Sequence, residues 1–373
     1  MSTKSVLLAT RPLCPPWDEA SKNFAYFLGR EVQNHSLTLL TTKEILEGVP
    51  NTVKQEAIFS ERHFNLRTKI ELFLHLRKMR ASYDVTHYIF TPAKQNVRAI
   101  KSFALPTKGK TLQTVATLRD DLYSPQELRS LLFADHLVVY TDLSKEKLSR
   151  LGFHNVTRIY PGIDLTRYAP REKNPDILKQ FGFEASSFVV IYPGEYVRLG
   201  ATDMLTDALV DFFTKNPDTD IRFVFACRVK NEADAKKKSE VQKRFTDAHL
   251  EKYIAFSDTI SDMPALYNTA DVVAFPVGNL EGKFDVPLII IEAYACGKPV
   301  ILSDLPAFSE FANERICVTI PKDSGEQFIK SMAYLRENNE KRISYGENAR
   351  AFVEEHFDLK NTALQYEEIY SSL

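Results

Sequence analysis

The sequence predicts an α/β protein with two doubly wound domains, each a parallel sheet covered by helices on both faces. Short apolar runs rich in β-forming residues alternate with helical patterns along the chain, and this order is typical of parallel sheets. The runs form two series, separated by a stretch rich in proline and charge at residues 161–175. With 373 residues, each domain can bury its own core. Ligands bind such sheets at the carboxyl ends of the strands, so we expect a site in a cleft between the two domains.

The predicted strands are short and follow one another in two sets. In the first series they cover residues 6–9, 37–40, 85–90, 114–117 and 136–140. In the second series they cover residues 188–192, 222–226, 254–256, 272–275 and 300–302. Helical patterns lie between them, the first starting near Ser21.

Composition excludes several classes of function. The chain is 44% hydrophobic and 26% charged with a formal net charge of −1, whereas nucleic-acid binding calls for a strongly basic domain. No apolar run approaches the ~18 residues of a membrane span, and the first strand begins too early for a signal peptide. The four cysteines show neither metal spacing nor a disulfide framework. We therefore expect a cytoplasmic protein.

Residues 276–310 carry the clearest functional signal. A polar loop with two glycines leads into an apolar helix that bears Glu292, and Gly297 stands where a C-terminal cap is expected. The free N–H groups of a helix N-terminus suit a phosphate, and a carboxylate on the helix can accept hydrogen bonds from two sugar hydroxyls. Two interpretations stay open: a site for a nucleotide-diphosphate sugar, or a buried helix in which Glu292 is capped or paired.

Two stretches of the first half also carry open alternatives. Residues 11–19 follow the first strand and hold three prolines and the only Trp, which makes a stiff loop. This loop is either a wall for a sugar or acceptor or a plain connection. Residues 62–80 form a basic amphipathic segment, which either lies on an anionic membrane surface or is one solvated face of the domain.

Polar residues at strand ends are candidates for the cleft. His87 and the pair Arg119 and Asp120 each follow a predicted strand, although the pair is also explained as a local ion pair and a lone His is commonly structural. Arg198 follows the glycine turn after strand 188–192, where a guanidinium matches a diphosphate bidentately or is a plain surface residue. Residues 218–220 spell Asp-Thr-Asp, which we interpret as a turn rather than a metal motif. We expect no metal site and no cofactor.

Three passages resemble glycosyltransferase family 4, the retaining nucleotide-sugar transferases with the two-Rossmann GT-B architecture. Residues 159–170 resemble the family's I-P-N-G-V-D-…-F-x-P signature, and residues 266–276 resemble its Y-x-x-A-D-V-x-V-x-P-S pattern. Residues 291–310 resemble its L-E-A-M-A-C-G-K-P-V-I-…-S-D-x-P-…-E pattern. The resemblance implies an acceptor domain at residues 1–165, a donor domain at residues 170–358, and a last helix, residues 359–373, that crosses back to the first domain.

The resemblance also implies roles for single residues. Glu292 is expected to bind the nucleotide ribose, and the backbone around residues 284–286 to hold the donor sugar or its phosphates. The full set of expected donor contacts is Glu292, Lys283, Phe284, Asp285, Val286, Gly194, Tyr196, Arg228 and Ile260. The catalytic candidates are Arg198, Arg119 and Asp120.

The chain departs from the family pattern at three places. Phe284 stands at the first position of the Glu-x7-Glu motif, and Glu195 and Gly200 stand where the family has Arg and Lys. Arg119 replaces the His of the His-Asp pair. Arg198 is then the only local cation, and we expect Arg228 and Lys283 to supply the remaining positive charge.

Two hypotheses follow. The first is a retaining, metal-independent transferase that moves a hexose from a UDP- or GDP-linked sugar to a glycan or lipid-linked acceptor, with peripheral contact to the inner membrane face through residues 62–80. The second is a non-catalytic sugar-nucleotide-binding or partner subunit that keeps the fold, favoured by the missing Glu and the missing Arg/Lys pair.

Overall fold

The computed structural model describes residues 3–17, 19–258 and 262–373, and the chain divides into two compact units. Unit 1 comprises Met1–Gly162, Gly282–Val286 and Phe357–Leu373, and unit 2 comprises Ile163–Glu281 and Pro287–His356. The sequence placed the whole of residues 170–358 in one domain. The short segment Gly282–Val286 departs from that expectation, because it packs with unit 1.

Unit 1 contains a seven-stranded sheet in which every adjacent pair is parallel. Its order is β3-β2-β1-β4-β5-β6-β7, with β1 at Ser5–Leu13, β2 at Ser36–Thr41, β3 at Lys54–Ala57, β4 at Val85–Ile89, β5 at Lys110–Val115, β6 at His136–Val139 and β7 at Val156–Arg158. The sequence did not predict β3 and β7. Both are edge strands without a fully buried residue, so neither shows an apolar run.

Unit 2 contains a six-stranded, all-parallel sheet. Its order is β10-β9-β8-β11-β12-β13, with β8 at Phe188–Tyr192, β9 at Ile221–Phe225, β10 at Ile254–Phe256, β11 at Val272–Phe275, β12 at Val300–Ser303 and β13 at Cys317–Ile320. The predicted runs match β8, β9, β10, β11 and β12. The sequence did not predict β13, which lies at one edge of the sheet.

Helices connect the strands of both sheets. In unit 1 they are α1 (Ala20–Glu31), α2 (Leu66–Lys78), α3 (Lys94–Ala99), α4 (Pro125–Leu131) and α5 (Asp142–Arg150). In unit 2 they are α6 (Pro175–Phe181), α7 (Thr202–Lys215), α8 (Glu232–Asp247), α9 (Met263–Thr269), α10 (Leu288–Ala295), α11 (Gly325–Glu337) and α12 (Asn339–His356). The last helix, α13 (Leu359–Ser372), belongs to unit 1.

Helix α13 is held to unit 1 by buried polar contacts. The Glu367 carboxylate accepts hydrogen bonds from the backbone N–H groups of Gln33 and Asn34 at 2.5 and 2.7 Å. His87 lies in the same core, with its two ring nitrogens 2.8 Å from the Tyr370 hydroxyl and 2.7 Å from the Thr114 hydroxyl. Burial lowers the pKa of His87 to about 3. His87 is therefore a structural histidine and does not line a site.

Candidate functional site

The turn after β8 fixes the first part of the site in unit 2. The ring of Tyr192 lies beneath Gly194, so that a Cβ at that position would come within 2.0 Å of the ring. Only glycine fits at position 194, because the Tyr192 ring is fully buried in the core and cannot move aside. The Tyr192 hydroxyl also donates to the Glu195 carbonyl at 3.3 Å. Gly194 therefore sets the backbone that presents Glu195.

Glu195 holds two cations at the carboxyl end of the sheet. Arg198 donates to its carboxylate through Nε and Nη2 at 2.7 and 2.8 Å, and Lys230 donates through Nζ at 2.6 Å. The Glu195 side chain is 8% exposed, whereas those of Arg198 and Lys230 are 44% and 39% exposed. One buried carboxylate thus orients two solvent-facing cations, and the three side chains together carry a net charge of +1.

Lys230 corrects the expectation that Arg198 is the only local cation. Lys230 precedes Asn231, the N-cap of α8, in the loop that follows β9. Because β8 and β9 are parallel neighbours, their carboxyl ends meet at one sheet edge, and the sequence carried that signal. Arg228, which the sequence favoured instead, is exposed and forms no ion pair with any described residue.

The loop after β11 packs against the loop after β8. Gly278 donates its N–H to the Leu199 carbonyl at 2.8 Å, and the Asn279 side chain donates to the Arg198 carbonyl at 3.2 Å. Gly200 adopts a φ of 75°, a left-handed conformation that favours glycine. These contacts fix the backbone of Arg198 from the neighbouring strand end.

Helix α10 carries Glu292 with the cap predicted from the sequence. Gly297 has a φ of 67° and donates to the Tyr294 carbonyl at 2.9 Å, and the Lys298 N–H donates to the Ala293 carbonyl at 3.0 Å. This pair of hydrogen bonds defines a Schellman cap. At the other end, Pro287 provides no side-chain cap, and the Ile290 N–H donates to the Pro287 carbonyl at 2.9 Å. The N–H groups of Leu288 and Ile289 at the start of the helix stay available to an anion.

Glu292 is half-buried and paired with a hydroxyl. Tyr267 donates to its Oε2 at 3.0 Å. Burial raises the pKa of Glu292 to about 7, against the opposing effects of the Tyr267 and Tyr168 hydroxyls and the charge of Arg167. Further hydroxyl donors would stabilise the ionised form and lower this pKa.

The segment Gly282–Val286 is engaged within unit 1. Asp285 donates its N–H to the Ala116 carbonyl at 3.0 Å, and its carboxylate accepts from the Leu118 N–H at 3.1 Å and the Ser144 hydroxyl at 2.6 Å. Burial raises the pKa of Asp285 to about 7. The carboxylate of Asp285 is thus engaged within unit 1, and its expected contact with a donor stays a prediction.

The neighbours of Asp285 are placed in the same way. The Phe284 ring lies 5.8 Å from the Tyr140 ring, centroid to centroid. Val286 is fully buried, and Lys283 is half-buried. The sequence did not reveal this arrangement, because nothing in the local pattern distinguishes a loop that packs on one sheet from a loop that packs on the other.

Arg119 and Asp120, which the sequence left as either a local ion pair or cleft residues, each form a salt bridge with another side chain. Arg119 binds Asp121 through Nε and Nη2, both at 2.8 Å, and Lys147 lies 2.6 Å from the Asp120 carboxylate. The salt bridges of Arg119 and Asp120 thus include Asp121 and Lys147, and a role of either side chain in a cleft stays a prediction. Both side chains stay at the carboxyl end of β5, where the sequence placed them.

The other candidates have simple outcomes. Tyr196 is buried, burial raises its pKa, and its hydroxyl has no hydrogen-bond partner within the described ranges. Ile260 lies outside the described residues. Residues 216–219 form the expected turn, in which the Thr219 N–H donates to the Asn216 carbonyl at 3.2 Å, and Asp220 pairs with Arg336 at 2.9 Å. In the part of the chain that the structure describes, no group of three or more His, Cys, Asp or Glu side chains is arranged to hold a metal ion.

The basic segment at residues 62–80 forms helix α2, which begins at a capping box between Asn65 and Thr68. Three of its apolar side chains point to solvent: Leu66 is 75% exposed, Ile70 50% and Leu74 57%. None of the helices in residues 3–17, 19–258 and 262–373 combines the length and apolar character that a membrane crossing requires.

Comparison with known proteins finds a family match within the second unit. Residues 187–338 match the family described as Glycosyl transferases group 1. The D-inositol 3-phosphate glycosyltransferase of Corynebacterium kroppenstedtii is 26% identical over 231 residues, 58% of this chain and 49% of that protein. LpsB, a lipopolysaccharide core biosynthesis mannosyltransferase of Rhizobium meliloti, is 26% identical over 220 residues, 58% of this chain and 61% of that protein.

Among solved structures, Anabaena HepE in complex with UDP and glucose matches 100% of both chains with a TM-score of 0.74 and 17% identity. This likeness shows the fold, and the prediction of two Rossmann-like sheets of the GT-B type is confirmed. The chain spans about half the length of the first of the curated relatives it matches. The sequence resemblance is confirmed at the level of the group 1 glycosyltransferases, over the residues that the family covers.

Proposed function

We propose that this chain, whose residues 187–338 form a group 1 glycosyltransferase domain, is a retaining, metal-independent transferase. It moves a hexose from a nucleotide-diphosphate sugar to a glycan or lipid-linked acceptor. The observation that carries the proposal is the cation pair Arg198 and Lys230, held by a buried Glu195 in the same unit as the open N-terminus of α10. The UDP and glucose bound to HepE support a nucleotide-sugar donor.

The cation pair fits the chemistry of the leaving group. When the bond between sugar and diphosphate breaks, negative charge accumulates on the departing phosphate oxygens. Two cations already oriented by Glu195, together with helix N–H groups, stabilise that charge without reorganising during the reaction. Loss of one such donor typically costs ~100-fold or more in rate. An attack from the same face as the leaving group requires no protein nucleophile, and none is assigned.

Glu292 fits the ribose. Its carboxylate already accepts one hydroxyl, from Tyr267, and a carboxylate has capacity for further donors. Ribose hydroxyls would supply them and would favour the ionised form that burial disfavours. Glu292 thus binds the nucleotide, while Arg198 and Lys230 bind its phosphates.

A thermal-shift screen tests the donor site. The full chain is measured with UDP, GDP, ADP and their common sugar conjugates, beside Glu292→Ala and, as control, Glu337→Ala, which removes an exposed carboxylate from α11 of the same unit. A nucleotide at 100 times its Kd should add ~2.7 kcal/mol of apparent stability to the wild type and to Glu337→Ala. No shift with any nucleotide would contradict the proposal. Binding without turnover would favour the non-catalytic subunit.

The proposal places the protein in the cytoplasm, peripheral to the inner membrane face through α2. The exposed Leu66, Ile70 and Leu74 are interleaved with cations on this helix, as in helices that lie on anionic bilayers. Sedimentation with phosphatidylglycerol vesicles, but not with phosphatidylcholine vesicles, is expected. Equal sedimentation with both would contradict an electrostatic contribution.

A further inference from the structure

Unit 1 contains an apolar pocket of about 350 Å³, near the lower end of the ~300–1,000 Å³ typical of ligand sites. It lies between α2, α3 and the end of β4. Nine of the fifteen described lining residues are aliphatic or aromatic: Phe64, Leu66, Ile70, Leu72, Phe73, Leu76, Phe90, Ala99 and Ile100. The other six are polar or charged: Arg11, Ser21, Lys69, Thr91, Gln95 and Asn96.

A second pocket of about 230 Å³ lies beside it, at the proline-rich loop after β1. Three cationic side chains line this pocket: Arg11, Lys22 and Arg62. Lys22 is 6% exposed, and its ammonium donates to the Pro16 carbonyl at 2.5 Å. Among the described residues that line the two pockets, Glu19 alone carries a carboxylate, and it pairs with Arg11.

The two pockets share a wall. Arg11 and Phe64 line both of them. The Arg11 guanidinium lies 5.5 Å from the centroid of the Phe64 ring, and the Lys69 ammonium lies 5.6 Å from the same centroid. Phe64 is therefore flanked by two cations where the polar pocket meets the apolar one.

A ligand that satisfies both pockets has a compact anion joined to a hydrocarbon chain. Among the described residues, the four cations Arg11, Lys22, Arg62 and Lys69 outnumber the two carboxylates, Glu19 and Glu44, that pair with Arg11 and Arg62, and this excess favours an anion. The guanidiniums of Arg11 and Arg62 also match phosphate geometry. An uncharged sugar has no negative charge to pair with the cations and no hydrocarbon chain to bury against the apolar wall. We propose that the paired pockets bind a phosphate-headed lipid, with its phosphate between Arg11, Lys22 and Arg62 and its chain along Phe64, Ile70 and Phe73.

This inference rests on the proposed function and narrows it, because it makes the acceptor a lipid phosphate or diphosphate rather than a free glycan. Leu66 and Ile70 line the apolar pocket and are also exposed, so the chain can enter from the surface that α2 presents to a bilayer. Arg62 also binds Glu44, and a phosphate competes with that carboxylate for the guanidinium.

Trp17 provides a direct readout, because it is the only tryptophan in the chain. It follows Pro16, a lining residue of the polar pocket, and its ring lies 5.9 Å from the Lys22 ammonium. Tryptophan fluorescence is titrated with monomeric dodecyl phosphate, with dodecyl maltoside and with inorganic pyrophosphate. We expect saturation by dodecyl phosphate at least about tenfold tighter than by either other probe, since a charge-assisted contact and chain burial act together.

A chain-length series and matched variants locate the binding. From octyl to dodecyl phosphate, affinity should rise up to about fourfold per methylene until the pocket is filled. Ile70→Glu should weaken dodecyl phosphate binding by about tenfold or more, because it places a charge in the apolar wall. Leu74→Glu makes the same change on an equally exposed residue of α2 that lines neither pocket, and it should leave binding within about twofold. Both sites are exposed, so both variants should fold.

Several outcomes would overturn the inference. Equal response to dodecyl maltoside would mean apolar adsorption alone, and equal response to pyrophosphate without chain-length dependence would mean an anion site alone. Equal loss in Ile70→Glu and Leu74→Glu would mean general surface binding. The titration needs no sugar donor, so its failure would rule out the lipid site but leave the transferase proposal standing with another acceptor. If instead no nucleotide binds, the fluorescence titration of Trp17 still tests the lipid site independently.

Discussion

Glu292 brings both a hydrogen-bond acceptor and a negative charge into this site, and replacing it by Gln separates the effects of the two. The amide keeps an oxygen that accepts the Tyr267 hydroxyl, now at 3.0 Å from Oε2, but it removes the charge. Glu292 has an ordinary pKa of 4.5, which burial raises to about 7. Such a change corresponds to roughly 3 kcal/mol of preference for the neutral form in the folded state.

The sign of the effect follows from proton binding. Between pH 4.5 and about 7 the folded state binds more protons at Glu292 than the unfolded state, so stability falls as pH rises through this window. Because Gln does not ionise, this loss of stability with rising pH is absent from the Glu292→Gln variant. Its advantage in unfolding free energy over the wild type should therefore be about 1 kcal/mol at pH 5.5 and approach roughly 3 kcal/mol at pH 8.

Urea unfolding at pH 5.5 and pH 8 measures this difference. Asp285 also has a pKa raised to about 7, but it is present in both proteins and cancels from the comparison. The same variant should bind the donor nucleotide about 10–100-fold more weakly at pH 8, because an amide replaces a charged acceptor. A stability difference that is the same at both pH values would refute the placement of Glu292 in a desolvated site.

Three further changes test other parts of the structure. Lys230→Ala should weaken nucleoside diphosphate binding by about tenfold in calorimetry, whereas Arg228→Ala should have little effect. A larger loss of binding in Arg228→Ala than in Lys230→Ala would contradict the assignment of the cation pair. Glu367→Ala should lower the unfolding free energy by about 2–4 kcal/mol, since two backbone N–H groups lose their acceptor, while the exposed Glu368→Ala should change it by less than about 0.5 kcal/mol. Gly346→Ala would place a Cβ 2.2 Å from the Gly297 carbonyl oxygen, and a loss of about 1–3 kcal/mol is expected in thermal melts. An unchanged melting temperature would mean that α10 and α12 do not pack so closely.

The fold was predictable because central parallel strands are buried on both faces and appear as continuous apolar runs. The edge strands β3, β7 and β13 escaped prediction because partial exposure removes that signal. Helix α10 and its Gly297 cap were predictable from local chemistry alone.

The composition of the site was harder to predict. Lys230 joins Arg198 only through Glu195, a contact across 35 positions that depends on the pairing of β8 with β9. The placement of Asp285 depends on hydrogen bonds to Leu118 and Ser144, 167 and 141 positions away. Local patterns hold no information on either contact, so these partners could not be predicted from the sequence.

The proposed transfer is tested most directly by following release of nucleoside diphosphate and the anomer of the released sugar. The full chain is incubated with each UDP- and GDP-linked hexose, and the products are observed by proton NMR at early times. The proposal predicts slow release from one donor, a first-formed sugar with the anomeric configuration of that donor, and no release by Glu292→Ala. Release of the opposite anomer would contradict retention, and no release from any donor, with lipid phosphate present or absent, would contradict the transferase function itself.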